Sequence, residues 1–333
     1  MKNINIKLSI LLFVIALSFN QADLRSQEIR LMIANTNLAG DILNLNPYKF
    51  EQALNFISII NPKFELIPTK VRDSIANLQA NDSNGRNIYE ISKNVNADYI
   101  VFSRINAFKH LIRTDVNFVN SKNGNEILRG YGYSRASLIN EDTGELIYDP
   151  AILESLQRAM AAAFKDSTMF VDTTLKMNIK PIPLLIIGGL FFVDDNVLQK
   201  WDLFDKKVVN SYDAIETIFE TNKNSIDYLV IDTETRDSIY YINKMFVPEN
   251  YTAPSQHELL ALYKMDISYY LSGTFTRLPI GARLELTLYK FNNGVLELQN
   301  KESEIIAEDS LIKFKETIKF LSNKLLSKNV VTN

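Results

Sequence analysis

Two stretches of the chain alternate apolar and polar residues, as a strand does when one face packs on a core and the other meets water. Residues 112–118 and 283–289 both follow this period of two. Gly-containing turn signals at 122–124, 142–144 and 292–294 are of the type that joins antiparallel strands. The pattern predicts a hairpin or meander in each half of the chain.

Other segments carry the patterns of buried strands and amphipathic helices. Continuous apolar runs at 29–34 and 184–193 predict strands inside a sheet. In the last apolar segment, Leu311, Phe314 and Ile318 begin a series with three- to four-residue spacing, which predicts a helix with one face on a sheet. Helices are predicted at 49–60, 152–164, 211–222 and 310–326.

One sequence pattern occurs twice. The segments 64–75 and 228–239 both begin with an aromatic residue and share Ile-x-Thr-x-x-Arg-Asp-Ser-Ile. Each predicts a short buried strand that leads into a helix with Thr and Asp in its first turn, where they can cap free amides. The elements before and after each copy follow the same order, which indicates an internal duplication.

The predicted fold class is α+β, with two tandem copies of a β-α-β-α-β-β-(β)-α module. Each copy is expected to form a mixed sheet with helices packed against it. The predicted boundaries are a signal peptide at 1–27, a first module at 28–166, a linker at 167–183 and a second module at 184–328.

The amino terminus has the pattern of a secretory signal. Lys2 and Lys7 precede the uncharged run 8–17, and small residues suited to cleavage lie near Ser18 and, as a second candidate, Ala22. The run is shorter than the roughly 20 apolar residues of a spanning helix. The sequence therefore predicts export across a bacterial-type inner membrane followed by cleavage.

Composition narrows the functional class. The chain is 46% hydrophobic and 23% charged, with 11 Gly and 9 Pro in 333 residues, which excludes disordered and collagen-like classes. A net charge of −3 argues against nucleic-acid binding. Cysteine is absent, so disulfides, thiolate metal sites, thiol nucleophiles and a lipid-bearing cysteine are all excluded.

No spacing along the chain indicates a catalytic, cofactor or metal site. His110 and His257 show no metal-ligand spacing, and surface or capping roles are expected for them. The acidic pairs 141–142 and 194–195 are interpreted as solvated turns. Gly188-Gly189 lacks a nucleotide-loop pattern and is interpreted as a bend or a close backbone approach in a strand.

Two groups of residues are candidates for binding. The repeated Arg-Asp-Ser could hold an anion at a helix start, although a cap with a solvent-facing Arg-Asp pair is the favoured interpretation. The tyrosines within 129–134 could anchor a partner, because the adjacent glycines would let a backbone approach. The predicted interaction surface consists of Arg72, Ser74, Tyr131, Tyr133, Arg236 and Ser238.

The sequence resembles a family of bacterial envelope domains that includes the amino-terminal domain of TolB, LpoB, FlgO and CsgG. Residues 88–101 resemble its helix followed by an Ala-Asp-Tyr strand, and 140–147 resemble its Thr-Gly-Glu hairpin. Residues 269–275 and 292–297 occupy the same places in the second half. The resemblance implies the fold, an envelope location at the periplasm or outer-membrane periphery, and function through protein binding. The tandem modules and the missing cysteine depart from the pattern.

The leading hypothesis is a non-enzymatic, exported adaptor or assembly factor that binds an envelope protein, by strand addition at a sheet edge. One alternative is a CsgG-like oligomeric outer-membrane component in which residues 111–139 insert as hairpins. A second alternative is an exported enzyme with an unrecognised site. We expect no cofactor and no nucleic-acid partner, while homo-oligomerisation and outer-membrane association stay open.

Overall fold

The computed structural model describes residues 28–39, 45–79, 87–125, 127–166, 182–194, 200–245, 249–292 and 294–327. The predicted signal peptide, residues 167–181 of the predicted linker and Asp195 of the second acidic pair lie outside the described residues. The module boundaries stay predictions.

The first half of the chain begins and ends with long elements that pack together. In order it contains β1 (Ile29–Ala39), α1 (Pro47–Ile60), β2 (Phe64–Ile67), α2 (Thr69–Gln79), α3 (Ile88–Asn94), β3 (Tyr99–Phe108), β4 (Leu111–Asn120), β5 (Ile127–Arg135), β6 (Leu138–Ile139), β7 (Leu146–Ile147) and α4 (Asp149–Phe164).

The second half repeats this order, with a short extra helix and, in its described residues, without a counterpart of the β6–β7 hairpin. In order it contains β8 (Leu184–Val193), α5 (Asp202–Asp205), α6 (Lys207–Asn222), β9 (Leu229–Ile231), α7 (Thr233–Ile242), α8 (Gln256–Lys264), β10 (Tyr269–Arg277), β11 (Ala282–Asn292), β12 (Val295–Ile306) and α9 (Leu311–Ser327).

Each half holds one five-stranded mixed sheet, and the two strand orders are equivalent. The first sheet has the order β2-β1-β3-β4-β5, and the second has β9-β8-β10-β11-β12. The first two pairings in each sheet are parallel, and the last two are antiparallel. The predicted α+β class with mixed sheets is confirmed, and the sequence repeat corresponds to a repeated topology.

Both sheets are covered by helices on their two faces. Because successive strand residues point to opposite faces, Leu31 and Val101 join the core under α1 and α4. Their neighbours Met32 and Ile100 join a smaller core under α2 and α3. The second sheet is built in the same way, with α6 and α9 on one face and α7 and α8 on the other.

Local sequence signals explain where several helices begin. The Asn46 side chain accepts the Lys49 amide at the start of α1, and Ser255 with Glu258 forms a capping box at α8. The predicted apolar face of α9 is buried, except that Leu311 is 43% exposed. Leu311 is the first residue of α9, and burial of the apolar face begins at Phe314.

Gly130 and Gly132 let α4 lie directly on β5. A Cβ at Gly130 would lie 2.0 Å from the Ala159 carbonyl oxygen, and one at Gly132 would lie 2.1 Å from that of Ser155. From the sequence, we expected these glycines to let the backbone of a partner protein approach. The backbone that approaches these glycines belongs to the closing helix of the same chain.

Gly188 and Gly189 occupy an irregularity in the pairing of β8 with β10. A Cβ at Gly188 would meet the Tyr270 hydroxyl at 2.0 Å, and one at Gly189 would meet the Asn250 carbonyl oxygen at 2.2 Å. The same Asn250 carbonyl accepts the Leu190 amide at 2.8 Å. The close approach predicted for this pair is observed.

Gly132→Ala tests the contact between α4 and β5. The new methyl group would overlap backbone atoms that cannot rotate away, so we expect the free energy of unfolding to fall by about 3 kcal/mol. Urea denaturation measures this change. Gly144→Ala is the control, since a Cβ there meets nothing within 4 Å. The positive φ of 70° at this position is the main source of destabilisation in the control, and we expect it to lower the free energy of unfolding by about 1 kcal/mol. Equal losses for the two variants would contradict the packing argument.

Candidate functional site at the junction of the two halves

The β3–β4 turn of the first half is inserted into the second half. Phe108 is 1% exposed and Leu111 is 3% exposed, and both belong to a cluster with Ile186, Ile239 and Tyr270 of the second half. Large apolar residues on both sides of a two-residue turn would face water in an isolated sheet. Their burial contributes about 2 kcal/mol each and fixes one half against the other.

Arg113, on β4, organises the polar edge of this junction. Its guanidinium lies 2.7 Å from Asp115 of the same strand and 2.8 Å from Asp266 of the second half. It also lies over the rings of Tyr131 and Tyr133, at 4.8 and 5.3 Å from their centroids. One half-buried cation therefore links two carboxylates, two rings and both halves of the chain.

Tyr133 places a hydroxyl between Arg113 and the second half. Arg113 donates to this hydroxyl at 2.7 Å, and the hydroxyl donates to the Met265 carbonyl. Burial raises the pKa of Tyr133 well above its ordinary range, although Arg113 opposes the shift. Tyr133 is therefore neutral at physiological pH and keeps the proton that it donates.

A second set of contacts surrounds Arg135 at the end of β5. Its guanidinium donates to the carbonyls of Lys223, at 2.9 Å, and Val230. It lies 5.3 Å from the Phe219 ring centroid. Burial lowers the pKa of Arg135, and the charge of Asp232 opposes this shift. Arg135 thus connects the edge of the first sheet to the backbone of the second half.

The turn residues add two pairs to the same contact. His110 Nδ1 lies 3.3 Å from the carboxylate of Asp232, whose side chain also caps α7 through the Thr235 amide. Lys109 lies 3.6 Å from Glu234, and both side chains are more than half exposed. Because exposed pairs contribute little, the capping carboxylate is the more significant contact. His110 therefore lies at the junction beside a capping carboxylate, and the surface or capping role expected for it stays a prediction.

A cleft of about 670 Å³ opens beside these contacts, between the two halves. Its walls include the apolar side chains of Ile139, Leu146 and Phe219. Among the residues that line it in the described part of the chain, four are acidic and two are basic. Both basic residues contact their own chain, and two of the acidic ones are paired, Glu220 with Lys223 and Glu234 with Lys109. The acidic residues are Glu216, Glu220, Asp232 and Glu234. The cleft favours a ligand that carries positive charge and apolar groups.

The short β6–β7 hairpin forms one wall of the cleft and exposes apolar side chains. Leu138 is 53% exposed, Ile139 is 58% exposed and Ile147 is 37% exposed. The hairpin pairs only with itself in the described sheet topology, so its edges carry unpaired backbone groups. An exposed apolar hairpin beside an acidic cleft is suited to peptide binding.

The repeated Arg-Asp-Ser residues lie outside this cleft, at the starts of α2 and α7. Arg72 donates to the Ile33 carbonyl at 2.6 Å, and Arg236 donates to the Ile187 carbonyl at 3.2 Å. Each guanidinium also contacts the aspartate that follows it. Both arginines thus tie a helix to the strand beside it, as internal parts of the fold.

The remaining predicted residues have different surroundings. The Ser74 hydroxyl donates to the Lys70 carbonyl at 2.8 Å, and Ser238 is half-buried in α7. Tyr131 is 44% exposed, whereas Tyr133 is 5% exposed and already engaged in the junction. The prediction that these residues form a surface for a partner stays a prediction.

Sequence reasoning missed the junction residues Phe108, Leu111, Arg135, Asp232 and Asp266. The available signal was the turn itself, since a solvated hairpin turn carries polar residues, whereas this one has Phe and Leu on both sides. Asp266 has a φ of 54°. This left-handed conformation could not be predicted from the sequence, because glycine is the usual residue at such positions and Asp266 is not a glycine.

The described residues lack the features of a metal site and of a membrane-spanning helix. They contain no group of three or more His, Cys, Asp or Glu residues placed to hold a metal ion. None of the helices described is both long enough and apolar enough to cross a membrane.

Comparisons with known proteins give likenesses to solved structures. No family model matches the chain, and no curated protein gives a significant match. The LpoB C-terminal domain from Salmonella enterica is similar at 22% identity, over 35% of this chain and 90% of that one, with a TM-score of 0.27. Lipoprotein GNA1162 from Neisseria meningitidis is similar at 14% identity, over 35% of this chain and 86% of that one, with a TM-score of 0.27. The PelC dodecamer from Paraburkholderia phytofirmans is similar at 10% identity, over 44% of this chain and 87% of that one, with a TM-score of 0.24. Each likeness covers less than half of this chain.

Tyr133→Phe tests the hydroxyl at the junction. The variant leaves the Met265 carbonyl without its donor, so we expect the free energy of unfolding in urea to fall by about 2 kcal/mol. Tyr131→Phe is the matched control on the same strand, with an expected change within about 0.5 kcal/mol. A loss of the same size in both variants would show that the bridge to Met265 is not the cause.

The buried tyrosine also predicts a pH dependence. Its folded-state pKa is raised, so its stabilising contribution is fully present below pH 10.0, the ordinary tyrosine value, and is lost as the pH rises through the raised value. Above the ordinary value, stability should fall by about 1.4 kcal/mol per pH unit for each such group. Urea denaturation across alkaline pH should show a shallower fall in Tyr133→Phe. An unchanged slope would contradict the prediction.

Proposed function

We propose that this chain is an exported, non-enzymatic adaptor of the bacterial cell envelope that binds a segment of another envelope protein in the junction cleft. The observation that carries the proposal is the cleft itself, in which an acidic rim surrounds apolar side chains beside an exposed hairpin. Lys2 and Lys7 at the amino terminus and the apolar run that follows them support export.

The charges of the junction support binding rather than chemistry. Arg113 and Arg135 are directed at carboxylates and carbonyls of their own chain, so they hold the cleft in shape. Asp232 is engaged by the first turn of α7 and by His110. Glu216 lies at an exposed position of α6, where it can meet a cation from a partner, whereas Glu220 already pairs with Lys223 at 2.6 Å.

The chemistry of the cleft defines the partner segment. Acidic walls favour Lys or Arg in the segment, and Ile139, Leu146 and Phe219 favour apolar side chains between them. An extended segment could also pair with the edge of the β6–β7 hairpin, which would satisfy its backbone groups. The preferred partner is therefore an extended basic and apolar segment of an envelope protein.

Site-specific photo-cross-linking in the producing cells tests this proposal. A photoreactive residue at Ile139, in the cleft, should capture one defined protein, and the same residue at Val295 should not. Val295 is a fair control because it is 62% exposed, compared with 58% for Ile139, and lies on β12 outside the cleft. The cross-linked peptide, sequenced by mass spectrometry, should be basic and apolar.

Charge reversal provides the second readout. Glu216→Lys should reduce the captured product on the order of tenfold, since it places like charges against the segment. Glu304→Lys makes the same change on β12, outside the cleft, and should leave the product unchanged. Equal capture from positions 139 and 295, or capture indifferent to Glu216→Lys, would refute binding in the cleft.

A further inference from the structure

The β10–β11 turn of the second half exposes apolar side chains, whereas the equivalent β3–β4 turn of the first half is covered by the second half. Ile280 in this turn is 85% exposed, and Ile305 on the adjacent β12 is 57% exposed. Ile280 is the most exposed large apolar residue in the described part of the chain. Such side chains together mark a contact surface.

Strand register shows that this surface corresponds to the buried β3–β4 turn. The pair Ala107–Ile112 in the first hairpin corresponds to Arg277–Ala282 in the second, since four residues lie between the partners in both, and Phe108–Leu111 forms one further pair at the first turn. The residues after Ile112 and Ala282 are both arginines, Arg113 and Arg283. The partner of Arg113 on the neighbouring strand is Tyr133, and that of Arg283 is Ile305. The exposed Ile305 thus stands where Tyr133 is buried against the second half.

The complementary surface is also present twice, and among the described residues the two versions differ in exposure. The β3–β4 turn packs against the cluster under α7 and α8 in the second half. In the first half, the equivalent helices are α2 and α3. Val71 on α2 is 45% exposed, whereas Thr235, at the same place in the repeated segment, is 1% exposed. The turns that follow α3 and α8 also match, since φ is 53° at Asn96 and 54° at Asp266.

We infer that the chain self-associates head to tail, with the β10–β11 turn of one copy packed against the α2–α3 surface of the next. This contact would repeat between copies the contact that each chain makes between its own halves. Each copy then has one inserted turn and one receiving surface, so the association is heterologous and extends into a ring or a filament. It uses neither the junction cleft nor the proposed partner segment.

Two single variants and a control test the two surfaces separately. Ile280→Asp and Val71→Asp each place a charge in the contact and should raise the dissociation constant for self-association on the order of a hundredfold. Sedimentation velocity over a concentration series measures this. Ile312→Asp is the control, because Ile312 is 71% exposed on α9, which covers the opposite face of the second sheet. Its self-association should equal that of the wild type.

Mixing the two variants tests whether the association is head to tail. Ile280→Asp keeps an intact α2–α3 surface and Val71→Asp keeps an intact β10–β11 turn, so the mixture should form a defined dimer although each variant alone is monomeric. Wild-type protein that stays monomeric throughout the series would overturn the inference. So would oligomers that survive Ile280→Asp, or a mixture in which both variants stay monomeric.

Discussion

Phe108 and Leu111 are shielded from water by residues that follow them by more than 70 positions in the chain. The cluster that contains them is otherwise formed by the second half, apart from Tyr133. The polar contacts of the junction depend on this insertion, because Arg113 reaches Asp266 and Tyr133 reaches Met265 only when the halves are held together. The cleft exists for the same reason, since its walls come from both sides.

The duplication explains why the two halves are alike in topology yet different at their surfaces. Both contain Arg-Asp at the start of a helix, with the guanidinium on a carbonyl of the neighbouring strand. In the second half Arg236 is 2% exposed, whereas Arg72 is 20% exposed. The same fold-forming residues therefore lie in a covered setting in one copy and in a more open one in the other.

The sequence predicts those parts of the fold that depend on neighbouring residues. Alternation in β4 and β11, the apolar run of β8 and the close approach at Gly188-Gly189 all follow from local patterns. The junction depends on contacts between distant residues, such as Tyr133 with Met265, and these leave no periodic signal. The candidate cleft is therefore a product of tertiary structure. The only local signal for it is the apolar turn at Phe108 and Leu111, which indicates a contact with another part of the chain.

The insertion of the β3–β4 turn also has a consequence for biosynthesis. A ribosome completes Phe108 and Leu111 long before it reaches Tyr270, the last residue of their cluster. During that interval the first half can form its sheet, but it presents two large apolar side chains to the solvent. The nascent chain therefore passes through a stage at risk of aggregation, and a chaperone that binds this turn would shield the two side chains until the second half is complete.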